Sequence, residues 1–546
     1  MISILETDSG LTLYQNIPEG LCSRCKEFLL LPKEIPTSMI PRSLAHLSQT
    51  NAAPPESEVE DLKKSREHVR RSIAELDDQI RDLTLVLETL RVERVHQQGI
   101  DDEYTAILAP IRRIPSEMLS EIFFHAQEEY HRVFDISSPS WVLSWVCSSW
   151  RMVVVNCSEF WCNLDVCPRW TMTGNETLLL RTTISRAVER KLVLQLRFKN
   201  LPPFDSDIIP LFNVLMESSD RWLIARLNLP PEYLPAFAPI RDRLDGLEHL
   251  HIFCNECIQD VHISAFEVAP QLKSVSISGF LTAMVSLPPS LLEFRDDRPY
   301  GGDILNAYFL DIIRNAPDLH TFSVGHQDLV GDGVLGMVPR ILHPNIHVLR
   351  ACDGSFLRSL TLPQLEHMCL AASGVDYGCP QESLPGLYDL LQHSHCSLRS
   401  LRIMEPWSLD STVLDILQLT PRLEDFYVSG WGGDFNTVMQ IISRMSDKDE
   451  EHRLRLIPEL KNFNFIVEAS NISAPFTFSD TALVDMIASR WNPVPIGGEK
   501  LRRVHMRIDR DLPVPGGLSQ DDQSRLKAYK EEGLDISIVD TDTIYV

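Results

Sequence analysis

One six-residue pattern recurs along the second half of the chain and constrains its fold more than any other feature. Its first residue is leucine (isoleucine in one copy), its fourth and sixth residues are apolar, and its second, third and fifth residues vary. The copies occupy residues 247–252, 272–277, 319–324, 346–351, 365–370, 398–403, 423–428, 460–465 and 501–506, and 291–296 is a weaker one. Successive copies begin 19 to 41 residues apart, a spacing that is typical of repeat proteins.

The last four residues of each copy alternate between apolar and other side chains, as in a β-strand that buries one face. The segments between copies have helical spacing. In residues 302–318 the apolar residues with this spacing are Ile304, Leu305, Tyr308, Phe309, Ile312 and Ile313. A strand and a helix repeated at this period predict an α/β repeat solenoid whose strands line one face. We expect it to span residues 166–510, followed by a charged tail at 511–546 with room for one more strand.

A second periodic segment, residues 56–98, predicts a long helix. Its apolar residues step alternately by four and three positions, as at the a and d positions of a coiled coil. These residues are Val69, Ile73, Leu76, Ile80, Leu83, Leu87 and Leu90. Opposite charges four residues apart support the helix at Glu60–Lys64, Glu67–Arg71 and Asp77–Arg81. Gly99, Asp101 and Asp102 predict its end. The apolar residues at the a and d positions form a seam along the helix, and two alternatives are open. The seam pairs with that of a second copy of the chain in a homodimer, or it docks on the domain that follows in the same chain.

The composition narrows the classes of partner. The 546 residues include 76 acidic and 51 basic side chains, for a formal net charge of −25, which argues against binding to nucleic acid or to an anionic membrane. We expect neither a membrane span nor a secretory signal. The twelve cysteines are scattered, which suits a reducing cytoplasm or nucleus. Residues 1–55 are rich in Ser, Pro and Thr and are expected to be mostly disordered.

Residues 107–165 predict two short apolar helices. Pro115 suits the first turn of a helix, and the next apolar residues fall on one face of it: Leu119, Ile122, Phe123 and Ala126. Pro139 starts a second helix whose face is lined by Val142, Val146, Ser149 and Trp150, with Trp141 and Trp145 beside it. Two helices with faces this wide cannot bury them against each other alone, so a covering partner is expected.

The order of residues in this region is similar to that of an F-box. "IRRIPSEMLSEIF", "WVLSWVCSSWRMVVV" and "EFW" follow the family's Ile-Pro step, its Val-Cys-x-x-Trp-Arg helix and its closing aromatic pair. The repeats resemble leucine-rich repeats in an irregular form. With the heptad helix, the whole chain resembles the F-box-like proteins, with a leucine-rich-repeat-like C-terminal solenoid, that mushroom-forming (basidiomycete) fungi carry in large numbers.

The resemblance implies docking on the Skp adaptor of a cullin-based SCF ubiquitin ligase, with an unidentified target protein held by the solenoid. It also implies that five residues face the adaptor: Ile114, Pro115, Leu119, Ile122 and Phe123. Four more should face it or brace those that do: Val146, Cys147, Trp150 and Arg151. Between residues 126 and 138 the chain departs from the family pattern, because a longer segment replaces a small-residue turn. How the two helices meet is therefore left open.

A glycine-rich stretch offers a rival interpretation. "GDGVLG" at 331–336, with Asp353 about twenty residues later, matches a dinucleotide-binding pattern. Pro339 and Pro344 leave too little room for the helix that such a site needs before the next strand. A loop between repeats accounts for the stretch better.

Two isolated cysteine pairs suggest zinc only weakly. Cys22 and Cys25 stand without a second pair, and Cys254 and Cys257 lie near His249 and His251. On a strand, the two histidines point away from the face of Leu250 and Ile252. Reduced thiols and buried repeat cysteines are the better interpretation.

The resemblance to the F-box-like proteins therefore implies a non-catalytic substrate receptor of a ubiquitin ligase. No recognisable catalytic motif occurs, so we assign no catalytic residue, no cofactor and no metal. The alternative is an interaction scaffold that dimerises through the heptad helix and has no role in a ligase.

Overall fold

The chain divides into two units, Met1–Ile114 and Pro115–Val546. A single long helix, α1 (Glu56–Leu108), makes up most of the described part of the first unit. The computed structural model describes residues 44, 46–47, 49–168, 175–198, 208–254, 262–279, 284–298, 300–301, 303–325, 327–328, 339–372, 382–404, 409–431, 435–450, 453–469, 482–492, 500–510, 518–540 and 543–546. Most of the segment predicted to be disordered, 1–55, lies outside them.

Helix α1 is longer than predicted and its apolar seam is open. The helix continues through Gly99 because one glycine costs only about 1 kcal/mol in a helix. It ends before Pro110, which forces Ala109 into an extended conformation. No residue of α1 is buried, and the seam residues are 36% to 61% exposed.

The ion pairs along α1 differ from those predicted. They join residues three apart rather than four: Lys63–Glu60, Lys64–Asp61, Arg81–Asp78 and Arg91–Glu88. Both spacings bring side chains together on a helix surface, and the exposed pairs contribute little to stability.

The second unit is mixed α/β and is organised around one 16-stranded sheet. Its strands are β1 (His131–Arg132), β2 (Asn163–Val166), β3 (Leu192–Arg197), β4 (Trp222–Asn228), β5 (His249–Cys254), β7 (Ser274–Gly279), β9 (Glu293–Asp296), β11 (Thr321–Val324), β14 (Val348–Arg350), β16 (His367–Leu370), β17 (Ser400–Met404), β18 (Asp425–Trp431), β19 (Asn462–Ala469), β20 (Arg503–Arg510), β21 (Asp535–Asp540) and β22 (Thr543–Ile544). Their order in the sheet follows their order in the chain. All pairs are parallel except β21 with β22.

Six two-residue strands pair outside this sheet. They are β6 (His262–Ile263) with β8 (Met284–Val285), β10 (Tyr300–Gly301) with β12 (Gln327–Asp328), and β13 (Ile341–Leu342) with β15 (Leu360–Thr361). The helices of the unit are α2 (Ser116–His125), α3 (Pro139–Val146), α4 (Ser148–Asn156), α5 (Asn175–Arg186), α6 (Ile209–Glu217), α7 (Asp303–Asn315), α8 (Gly354–Arg358), α9 (Ser383–Ser394), α10 (Thr412–Leu419), α11 (Phe435–Arg444), α12 (Ala482–Trp491) and α13 (Gln520–Glu531).

The repeated pattern predicts both the position and the register of ten strands. Each copy's strand begins at the third residue of the copy, and that residue pairs with the third residue of the next copy, as in His249 with Ser274 and Ser400 with Asp425. The first residue of every copy, from Leu247 to Leu501, is fully buried. The helix predicted within 302–318 is confirmed as α7. This arrangement is compatible with the predicted α/β solenoid.

The sheet extends beyond the predicted boundaries at both ends. Strand β1 and most of β2 lie inside the segment 107–165, whereas β3 and β4 lie within 166–510 but precede the first copy of the pattern. At the other end, the predicted tail contains α13 and continues the sheet with β21. Strands β2, β3 and β4 lack the leading leucine of the pattern. Their sequence shows only the alternation of apolar and other residues, which is a weaker signal over four to seven residues. Within the described residues, no helix is both long and apolar enough to cross a membrane.

Candidate partner-binding site

Helix α2 buries one side in its own chain and exposes the other. Leu119 and Phe123 are only 4% and 2% exposed, and the Phe123 ring lies 4.6 Å from the ring of Trp150 on α4. Met118 and Ile122 are 56% and 45% exposed. Both side chains are therefore covered within the chain, Phe123 by the Trp150 ring, and their contact with a partner stays a prediction.

The second predicted helix is two helices, α3 and α4, with a break at Cys147. The Cys147 backbone is extended, with φ −160° and ψ 170°, and its Sγ accepts a hydrogen bond from the Trp150 backbone N–H at 3.5 Å. Cys147 thus caps the start of α4, where an orphan N–H needs an acceptor. The break means that Val146 and Trp150 do not share a helix face, as a continuous helix would have required.

The remaining predicted site residues divide by exposure. Pro115, Arg151 and the cap residue Cys147 are exposed, and Ile114 and Trp150 are partly buried. Pro115 lies one position before α2, where its carbonyl accepts the Leu119 N–H at 3.0 Å. Ile114 belongs to the first unit.

Seven large apolar side chains on these three short helices are more than two-fifths exposed. We call them the open apolar surface: Met118, Ile122, Phe124, Val142, Trp145, Val146 and Met152. Only Ile122 and Val146 were among the predicted contacts. Met118 could have been found from its position four residues before Ile122, but Phe124, Trp145 and Met152 lie off the predicted faces. Exposed apolar side chains that form a large patch mark interaction sites in soluble proteins.

Two of the tryptophans hold the helices to the start of the sheet. The Trp141 ring on α3 lies 5.1 Å from the Trp161 ring, and both lie close to the imidazole of His131 on β1. The Arg186 guanidinium lies over both indoles, 4.8 and 4.6 Å from their centroids. The Trp161 Nε1 donates to the Val154 carbonyl at 2.9 Å. The chain therefore covers one side of the helices and leaves the open apolar surface uncovered.

The charge state of His131 follows from this environment. Burial, reinforced by the positive charge of Arg186, lowers the pKa of His131 from 6.5 to about 4. Its Nδ1 is 3.2 Å from the Ser138 hydroxyl, which precedes α3. The imidazole is therefore neutral at pH 7 and acts as part of the aromatic packing.

Among the described residues, neither the dinucleotide-binding pattern nor the cysteine pairs form a ligand-binding site. Asp353 caps α8 by accepting the Phe356 N–H at 2.7 Å, which is a structural role. Residues 331–336, Cys22, Cys25 and Cys257 lie outside the described residues. Cys254 is buried, which raises the pKa of its thiol to about 12, and it faces the core, opposite to His249 and His251 as predicted. No cluster of three potential metal ligands occurs in the part of the chain that the structure describes.

Comparison of the chain with protein-family models and with curated proteins gave no match. The assignment of a function therefore rests on the geometry of the open apolar surface and of the sheet.

Proposed function

We propose that the chain is a non-catalytic substrate receptor of an SCF-type cullin ubiquitin ligase. In this proposal α2, α3 and α4 form an F-box-like element that docks on the Skp adaptor. The repeated strands form a leucine-rich-repeat-like solenoid that holds a target protein. The chain would act by proximity, since tethering a target beside the ubiquitin-loaded enzyme raises its effective concentration.

The observation that carries the proposal is the open apolar surface. Its seven side chains remain exposed although α2 packs on α4 through Phe123 and Trp150. Covering an exposed aliphatic or aromatic side chain is worth about 1.5–3 kcal/mol. Several such anchors would support a protein interface of about 1,600 Å², which is the kind of contact that adaptor docking requires.

The experiment is capture of the full chain by a purified Skp adaptor. We expect Ile122→Asp and Val146→Asp to weaken capture at least about tenfold, since each places a charge in the apolar interface. The matched control is Leu342→Asp, which changes an exposed leucine on the two-residue strand β13. Circular dichroism checks that all three variants fold. Undiminished capture by both interface variants would rule out this docking surface.

A second candidate, an interaction scaffold that forms a homodimer, is favoured by the exposed seam of α1. Its a positions include Ile73 and Ile80 and its d positions include Leu76 and Leu83, the arrangement that favours parallel two-stranded coiled coils. Light scattering of the full chain should give twice the monomer mass, and Ile80→Asp should return it to the monomer. A dimer that ignores the adaptor would favour the scaffold over the receptor.

A further inference from the structure

Four arginines lie at equivalent positions on the solvent-facing side of the sheet. Arg226 pairs with His251 on the next strand, and the register continues without a shift to Arg295, then to Arg350 and then to Arg402. None of the four side chains is buried. We call them the arginine row.

The arginine row has the dimensions of an extended peptide. Seven strand-to-strand steps separate Arg226 from Arg402 in the sheet, and adjacent strands are about 4.8 Å apart. The row is therefore about 34 Å long, which about ten residues of extended chain would span at about 3.3 Å each.

The charge of the row contrasts with that of the chain. The chain carries a formal net charge of −25, yet no carboxylate occupies this register position between β4 and β17. Arg295 and Arg350 share one acidic partner, Asp297. These two guanidinium groups therefore have a single carboxylate between them.

Neither end of the row has an acidic partner in the part of the chain that the structure describes. Within the described residues, no carboxylate lies within ion-pair distance of Arg226 or Arg402. Arg226 donates a hydrogen bond to the Tyr130 hydroxyl and lies 5.7 Å from the centroid of its ring. The local positive potential also affects a neighbour: burial, together with the charges of Arg226 and His249, lowers the pKa of His251.

We propose that the arginine row binds an acidic peptide segment of a partner protein, laid across the strands. Guanidinium groups recognise carboxylates by paired hydrogen bonds, and an extended segment can place side chains at several of them. The inference rests on the proposed function, because it gives the target-binding face a chemical preference.

The surroundings of the row favour a peptide over a nucleic acid. Single arginines about 10–14 Å apart, as their strand separations imply, do not match a backbone with a phosphate every 3.4 Å or so along each strand. The adjacent register position also carries acidic residues, Glu293 and Asp425, and Glu366 and Glu424 lie just before their strands. A continuous phosphate chain would meet these carboxylates, whereas a peptide can present neutral side chains to them.

The test uses the full chain and a fluorescein-labelled peptide of about 12 residues that alternates Glu and Ser, followed by fluorescence anisotropy at about 50 mM salt. The matched probes are the same peptide with Gln in place of Glu and a single-stranded oligonucleotide of equal length. We expect the Glu peptide to bind, its affinity to fall as salt rises, and the Gln peptide to bind at least about tenfold more weakly.

The variant Arg226→Gln/Arg402→Gln should weaken binding of the Glu peptide at least about tenfold. Its control, Arg422→Gln/Arg455→Gln, removes the same charge from two exposed arginines outside the row and should leave binding unchanged. Equal binding by both double variants, tighter binding of the oligonucleotide, or no binding of the Glu peptide would overturn the proposal. The assay contains no Skp adaptor, so its outcome is separate from that of the docking experiment.

Discussion

The ring of Phe123 on α2 lies 4.6 Å from the ring of Trp150 on α4, at an interplanar angle of 56°. Aromatic pairs at this distance contribute beyond the area that they bury. The contact joins two of the three short helices and so decides which side of α2 is left exposed. That side carries Met118 and Ile122, and the docking proposed above places the adaptor there.

Truncating the two neighbouring residues Phe123 and Ile122 should have opposite effects on folding and docking. We expect Phe123→Ala to lower the free energy of unfolding by about 3–5 kcal/mol, because it leaves a cavity against Trp150. Ile122→Ala should change it by less than about 1 kcal/mol, since the side chain is already exposed, but should weaken adaptor capture. Urea unfolding followed by tryptophan fluorescence measures the first effect. A stable Phe123→Ala protein would contradict the packing described here.

The cap at Cys147 predicts a difference between two small substitutions. Cys147→Ala removes the acceptor for the Trp150 N–H and should cost about 0.5–2 kcal/mol. Cys147→Ser supplies a better capping oxygen and should match or exceed the wild type in thermal unfolding. Adaptor capture by the serine variant should be retained. Loss of capture with retained stability would instead mean that the thiol contacts the partner directly.

His131 should make the protein less stable in mild acid. Its pKa is about 4 in the folded chain and about 6.5 when unfolded, so the unfolded chain binds more protons between these values. The stabilising contribution is complete above about pH 6.5 and is lost as the pH falls toward 4, amounting to about 3 kcal/mol in all.

The measurement is urea unfolding at about pH 7.5 and about pH 5. Between these values His131→Phe should lose about 2 kcal/mol less stability than the wild type. His125→Phe, which changes an exposed histidine on α2, serves as the control and should follow the wild type. An equal loss in all three proteins would show that His131 is not the titrating group.

Arg490 should be essential for the C-terminal part of the sheet. Its buried guanidinium donates to the carbonyls of Ile457, Met445 and Leu456 at 2.7 to 2.9 Å, and burial lowers its pKa only to about 10, so it stays charged at pH 7. Arg490→Met would leave three carbonyls unsatisfied and should cost about 3 kcal/mol or more.

Thermal unfolding measures this cost. The exposed Arg444 on α11, paired with Asp447 at 3.5 Å, provides the matched control, and Arg444→Met should stay within about 1 kcal/mol of the wild type. Similar midpoints for the two variants would mean that water replaces the lost hydrogen bonds.

Much of the sheet could be predicted from the sequence, whereas the candidate site could be predicted only in outline. The site's helices were expected, but four apolar residues of α2, Met118, Leu119, Ile122 and Phe123, share one broad face, and only part of that face is buried. Periodicity cannot then choose the buried face. The resemblance to a known family assigns Leu119 and Phe123 to a partner, whereas in the structure both side chains are covered within the chain.

The sequence by itself determined where ten strands lie and how they pair. Each copy of the pattern buries its own first residue, and its last four residues alternate between apolar and other side chains. Loops of very different length therefore leave the register of the strands unchanged. Only the tertiary structure decided that the chain breaks at Cys147 and that His131 starts the sheet. It also brought Arg226 and Arg402 into one row. These features depend on contacts between residues far apart in the chain, and such contacts leave no local period to detect.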